Sequence, residues 1–380
     1  RVTNSDEEVI IAHNWDELSK LIKSIFAFLP LLIGQVVCAY ALVKKRESTA
    51  WREGGAVFLF FAVGASISLI AQIYNIPGDT SSFLLTWIGL TLPLIYMMRS
   101  SLISLLCIVA LTYYSCHVSY WNYPNTISYL YWLLLALILP HYILLLKKGV
   151  QNNFIVFHNW LIALSVISVL GMFGQKHEDL MFVAYISLFG LFSLIGHTEC
   201  FSKMKPMVNA YKVLGWLGTV GVLLSFSFDW FWEDLRKRDL RFDEIITSIE
   251  FLSIVIISVT AVALMYIQLR GKSFREIKPI TTVFLWFMLS YVLGMYSDFS
   301  PLAINIIVFV LGLLTIRDGA NRNHLGILNM GLLTITALVT CRFFDEDLSF
   351  VFRGVLFLIV GVGFFVTNYW MLKRRKLNEK

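Results

Sequence analysis

The sequence predicts an all-α, polytopic integral membrane bundle of about thirteen transmembrane helices, with the N-terminus outside and the C-terminus cytoplasmic. Three observations carry that expectation. Apolar residues make up 58% of the chain, charged ones only 15%, and mean hydropathy is +0.72, whereas soluble chains carry roughly a quarter charged residues. The apolar residues gather in separate runs long enough to cross a bilayer. The basic residues recur in every second connection between those runs.

The runs fall at approximately 25–43, 55–74, 82–98, 102–120, 127–146, 154–173, 180–196, 209–228, 251–269, 280–297, 301–316, 325–341 and 354–372. At 1.5 Å per residue, each covers most or all of a hydrocarbon core roughly 30 Å thick. Lipid leaves no partner for an open backbone group, so helix is the expected state. Barrel strands would be half as long and strictly alternating. The domain reading is a short extracytoplasmic N-terminal segment at 1–24, a transmembrane bundle at 25–372 and a basic cytoplasmic tail at 373–380.

Charge sets the orientation. The odd-numbered connections hold Lys44, Lys45, Arg46 and Arg52, then Arg99, Lys147 and Lys148, Lys203 and Lys205, Arg270 to Lys278, and Arg317 and Arg322, and the tail reads "KRRKLNEK". The opposite connections "NIPGDTS", "VSYWNYPN" and "SDFS" have no Lys or Arg. Basic loops stay cytoplasmic. The net charge of +6 is therefore a topological signal, and no basic helix or motif points to nucleic acid. Lys20, Lys23 and the loop 229–250 run against the simple bias. That loop opens on Trp230, Phe231 and Trp232, an aromatic boundary signal, and its charged centre has the pattern of one or two turns of surface helix. The chain begins with Arg rather than Met, which points to residues upstream of it, and carries no signal-peptide pattern. The five cysteines form no CxxC pair and read as small apolar helix residues. Two stretches look alike, 41–79 and 313–347: each has a basic loop, a glycine-containing helix start and a polar turn. An internal duplication would produce that pattern, and so in part would any bundle obeying the charge rule.

Three blocks carry a resemblance: "AHNWDEL" at 12–18; "WREG" at 51–54 with "GASISLIAQIYNIPGD" and "WIGLTLPLIY"; and "RFFDEDLSFVFRGVLFLIVGVGFF" at 342–365. The chain resembles the uncharacterised bacterial family of predicted membrane proteins grouped as domain of unknown function 2157. The Q-I-Y-x-x-x-G-D block is the most specific part. The resemblance implies a multi-pass protein of the bacterial inner (cytoplasmic) membrane, and no activity, cofactor or catalytic residue.

Polar residues mark where a site would lie. Gln72, Tyr74 and Asp79 surround the helix-ending Pro77-Gly78 and read either as a plain turn, with Asp79, Thr80 or Ser81 capping the next helix, or as a small outer-face site with Gln72 directed into the bundle. Arg342 and Arg353 bracket the acidic turn Asp345, Glu346 and Asp347. Their partners are either those carboxylates or an external anion suited to a guanidinium fork. His141 and His158 lie within predicted spans near the cytoplasmic side. No histidine spacing fits zinc, no cofactor motif occurs, and "QKHED" at 175–179 reads as a hydrated loop. Gln35, Asn305, Asn329 and Asn368 are expected as interhelical hydrogen-bonding amides, and Asn209 and Lys212 open the eighth span. No carboxylate falls at mid-membrane, which weighs against an acid-relay pump. The leading expectation is a non-enzymatic envelope scaffold or complex subunit, engaging a protein partner or anionic lipid at its outer face. A transporter or flippase comes next, then a lipid-linked glycan enzyme acting at the outer face.

Overall fold

The structure, a computed structural model, describes residues 15, 17–121, 126–150, 152–205, 208–237, 242–270 and 278–343, with 349, 351, 354, 355, 358, 359, 361–363, 365, 366, 369 and 373. Among them every regular element is helical. The chain divides into two compact units, Arg1–Met172 and Phe173–Lys380.

The first unit holds six long helices: α1 (Lys20–Lys44), α2 (Thr49–Tyr74), α3 (Thr80–Met97), α4 (Ser101–Cys116), α5 (Tyr129–Lys147) and α6 (Asn153–Leu170). Their starts follow local chemistry. Ser19 and Asp79 cap α1 and α3 through backbone N–H groups of Ile22 and Ser82, and Ser100 and Asn152 do the same for α4 and α6. Asn75 ends α2 in the left-handed region at φ 50, the conformation a C-terminal Asn tolerates. Ser66 Oγ donates to Ala27 O at 2.7 Å, tying α2 to α1, and Trp87 Nε1 donates to Phe60 O at 2.8 Å, tying α3 to α2. Central α4 packs on α2, α3, α5 and α6 and runs on as a π-helical turn, His117–Trp121.

The second unit contains α7 (Met181–His197), α8 (Glu199–Ser202), α9 (Ala210–Ser225), α10 (Asp229–Arg236), α11 (Phe242–Ile246), α12 (Ile249–Leu269), α13 (Val283–Gly294), α14 (Ser300–Asn321) and α15 (Leu325–Phe343). It is built around α7, which packs on α9, α12 and α13, while α14 and α15 form a close hairpin. Two surface helices replace the loop 229–250. Trp232 is fully buried, donating Nε1 to Phe226 O at 2.8 Å, whereas Trp230 stays exposed. The two stretches that look alike in sequence each form a helix end, a basic turn and a second helix.

Ten helices among the described residues are long and apolar enough to cross a membrane. The expected spans 209–228 and 280–297 are the shorter helices Ala210–Ser225 and Val283–Gly294. Pro279 starts a 3-10 turn before the second of these, and its 12 residues rise about 18 Å, short of a core. The thirteenth run, 354–372, and the tail 374–380 lie largely outside the described residues.

Candidate functional site

The polar residues of the first unit converge where α2, α4, α5 and α6 meet. Glu53, one turn into α2, is buried. Its carboxylate accepts the Ser101 N–H at 2.8 Å, the Leu102 N–H at 3.0 Å and the Ser100 hydroxyl. These are open donors at the start of α4, where the helix dipole also favours negative charge. Beside them Ser101 Oγ lies 3.3 Å from His141 Nε2. His158 Nδ1 faces the Phe154 carbonyl at 2.6 Å; a carbonyl only accepts, so Nδ1 carries the proton. Nε2 then accepts from Ser104 Oγ at 2.9 Å. Tyr142 donates to Asn159 Oδ1 at 2.6 Å.

Above this network lies a basic cleft. A cavity of ≈ 460 Å³ is lined by Leu42, Arg46, Glu47, Arg52, Met97, Met98, Arg99 and Lys148. A second, of ≈ 490 Å³, shares Arg52, Arg99 and Lys148 and reaches Glu53, Ser101 and His141. Arg52 donates Nη1 to Met98 O at 3.4 Å, and its buried Nε has no hydrogen-bond partner. Arg99 adopts φ 49, a left-handed conformation that costs a non-glycine residue roughly 1–2 kcal/mol. An apolar groove of ≈ 680 Å³ between α1, α2 and α3 is lined by residues including Phe28, Leu59, Ile67, Leu94 and Met97. Groove and basic cleft share Met97.

The residues singled out from sequence are placed differently. Gln72 is exposed, not turned into the bundle. The α2 face carrying Ile73 is the buried one, and Gln72 is rotated off it. Tyr74 is exposed and accepts from Ser24 Oγ at 3.2 Å, with Lys20 Nζ 5.9 Å from its ring. Asp79 caps α3, accepting the Ser82 N–H at 2.9 Å. Arg342 lies 4.7 Å over the Phe228 ring and donates to Ser227 Oγ at 3.3 Å. Asp345, Arg353, Glu346 and Asp347 lie outside the described residues.

Among the amides, Asn305 donates Nδ2 to Ser227 O, in the turn after α9, at 3.1 Å and to Pro301 O of its own helix at 2.8 Å. Gln35 and Asn329 are exposed, since each residue turns the side-chain direction by about 100° and an almost uniformly apolar helix gives no cue to which face is buried. Asn368 is outside the described residues. Among the described residues, Asn159 and Asn209 are the fully buried amides.

Glu53, Asn159 and the cleft role of Arg52 were missed. An acid four residues into an apolar helix was the available signal for Glu53. The turn expected as a hydrated loop instead gathers on Glu250, which accepts N–H groups of Gln175, Lys176 and His177 at 2.8, 2.7 and 3.0 Å.

Residues 9–104, which include Arg52, Glu53 and Arg99, match the model of a family described as predicted membrane protein (DUF2157). The third block of resemblance, 342–365, lies beyond that match. No curated protein and no solved structure matches the chain.

Proposed function

We propose that this multispanning membrane protein is a non-enzymatic scaffold subunit of the bacterial inner membrane whose first unit seats an anionic phospholipid. The observation that carries the reading is that a basic cleft and an apolar groove share Met97 in their walls. Arg46, Arg52, Arg99 and Lys148 line the cleft and suit a phosphate headgroup. The groove suits an acyl chain. By the charge bias this seat faces the cytoplasmic leaflet, not the outer face expected from the acidic turns.

The buried network supports a rigid, non-catalytic part. Ser101 and His141 have the spacing of a nucleophile and base. The N–H groups of Ser101 and Leu102, which would have to stabilise an oxyanion, are occupied by Glu53. A carboxylate on those donors stabilises the helix start and opposes any second negative charge there. The inner-membrane location rests on the family resemblance.

The test is lipid retention. Protein purified with phosphatidylglycerol should keep it through detergent washing, measured by native mass spectrometry. The double variant Arg52→Gln/Arg99→Gln should elute as a folded species and lose most of that lipid. Equal retention by the double variant overturns the reading.

A further inference from the structure

The second unit contains its own polar cleft, of ≈ 480 Å³, between α7, α9, α14, the start of α15 and the turn at Lys278–Ile280. Two donors in its wall are unmet. Ser193 Oγ and Trp216 Nε1 are buried without a hydrogen-bond partner, their residues 1% and 8% exposed. Buried polar groups are ordinarily satisfied, and leaving one open is costly. Both residues line the cleft, with the two donor atoms themselves covered beneath its surface.

Its charges are also unbalanced. Asp318 is the carboxylate in the wall. It holds Lys278 Nζ at 3.0 Å and Arg322 Nε at 2.9 Å. Lys212, also in the wall, forms no ion pair among the described residues. It stands in the first turn of α9, its N–H bonded to the Asn209 cap at 3.1 Å, where the helix dipole adds to the positive potential. Its stem is held against Gly196: a Cβ there would come 2.7 Å from Lys212 Cγ. Lys278 and Arg322 line the same cleft as Lys212. The remainder of the wall is largely apolar, with Val213, Ile280, Leu314 and Met330.

We infer that this cleft binds an organic anion: a carboxylate or phosphate whose charge meets Lys212, whose oxygens accept from Ser193 Oγ and Trp216 Nε1 once those side chains turn into the cleft, and whose apolar body lies against Val213, Ile280, Leu314 and Met330. The volume suits a small ligand. The site shares no residue with the phospholipid seat of the first unit and stands or falls separately from it. A lipid headgroup and a free organic anion offer the same chemistry.

The experiment uses the full chain in phosphatidylcholine nanodiscs, titrated calorimetrically with octyl phosphate, octanoate, octanol and inorganic phosphate. Octyl phosphate should bind saturably, and octanol at least tenfold more weakly. Lys212→Gln should weaken octyl phosphate at least tenfold. Trp216→Phe, which keeps an aromatic ring but removes the pyrrole ring and its N–H, should weaken it several-fold with the elution profile preserved. Arg52→Gln/Arg99→Gln should bind octyl phosphate as the parent does. If phosphatidylglycerol in the nanodisc competes with octyl phosphate, a lipid headgroup is the source. If it does not, the ligand is a free organic anion. Equal affinity of the parent and both cleft variants, equal affinity for octanol, or loss of binding in the Arg52/Arg99 variant instead overturns the inference.

Discussion

Glu53 and Ser101 lie forty-eight residues apart and meet at 2.8 Å, a carboxylate oxygen of α2 accepting the first backbone N–H of α4. The side chain of one helix thus completes the start of another. With Leu102 and Ser100 also donating, the contact orients central α4 against α2 and supports the floor of the basic cleft. Glu250 repeats the device in the second unit, taking three successive N–H groups from the turn at 175–177. A buried carboxylate with two or three backbone donors is satisfied without a cation.

Glu53→Gln tests how much that contact stabilises. The amide keeps the shape but turns an NH2 toward one of three donors. A hydrogen bond to a charged acceptor contributes about 1.5–3 kcal/mol, and the loss should be of that order. The thermal midpoint in detergent should fall clearly; an unchanged midpoint would show that the contact orients α4 without holding it.

Arg99→Gly separates stability from binding. Arg99 occupies the left-handed region at φ 49, where glycine relieves about 1 kcal/mol of strain. The variant should unfold at an equal or higher temperature while retaining less phosphatidylglycerol. A residue held in strain at a cleft where glycine would be easier is the pattern functional sites show. Lower stability together with undiminished lipid would remove Arg99 from the seat.

The helical class was legible because apolar runs and basic turns are one-dimensional signals, as α1 and α2 illustrate on either side of Lys45–Ser48. The seat was not. Arg46, Arg52, Arg99 and Lys148 come from three connections, and each already had an explanation in the charge bias. Helix rotation was equally hidden: the low amphipathicity of a chain surrounded by lipid leaves Gln35 and Gln72 without a sequence cue for their exposed direction. Ser193 and Trp216 resemble ordinary helix residues, and only the packed structure leaves their donors unmet.

Asp79 carries the pH prediction. The hydroxyl and N–H of Ser82 hold its carboxyl below the usual range. A depressed folded pKa means that the cap's contribution is present above the ordinary carboxylate pKa and is lost as pH falls through the folded value. Asp79→Asn, still a good cap, should flatten the acid side of the stability profile. Asp79→Leu should lower the midpoint at neutral pH. An Asn variant with the parent's acid slope would assign that slope to another carboxylate.

Orientation is testable by labelling. In a background without the native cysteines, a cysteine at Gly78 should react with an impermeant maleimide added outside intact cells, and one at Glu47 should react only after permeabilisation. Labelling of position 47 from outside would invert the arrangement and move the phospholipid seat to the outer leaflet.

The α14–α15 hairpin depends on missing side chains. A Cβ on Gly319 would lie 2.3 Å from the Leu328 backbone nitrogen and 2.6 Å from its Cα. These are backbone atoms, so no side-chain rotation relieves the clash, and the helices must part. Gly319→Ala should therefore cost about 1–3 kcal/mol, the usual range for overpacking. Gly221→Ala on α9 is the control: nothing lies within 4 Å of its Cβ, and alanine's better helix propensity contributes up to about 1 kcal/mol in the opposite direction. Lys278 and Arg322 both bond Asp318, one residue before Gly319. Opening the hairpin there should also disturb the charged wall of the second cleft. Gly319→Ala should accordingly weaken octyl phosphate binding as well as lowering the midpoint, whereas Gly221→Ala should leave binding unchanged. A stable Gly319→Ala protein with parental binding would mean the hairpin yields without loss, and close packing at Gly319 would not be what holds the two helices together.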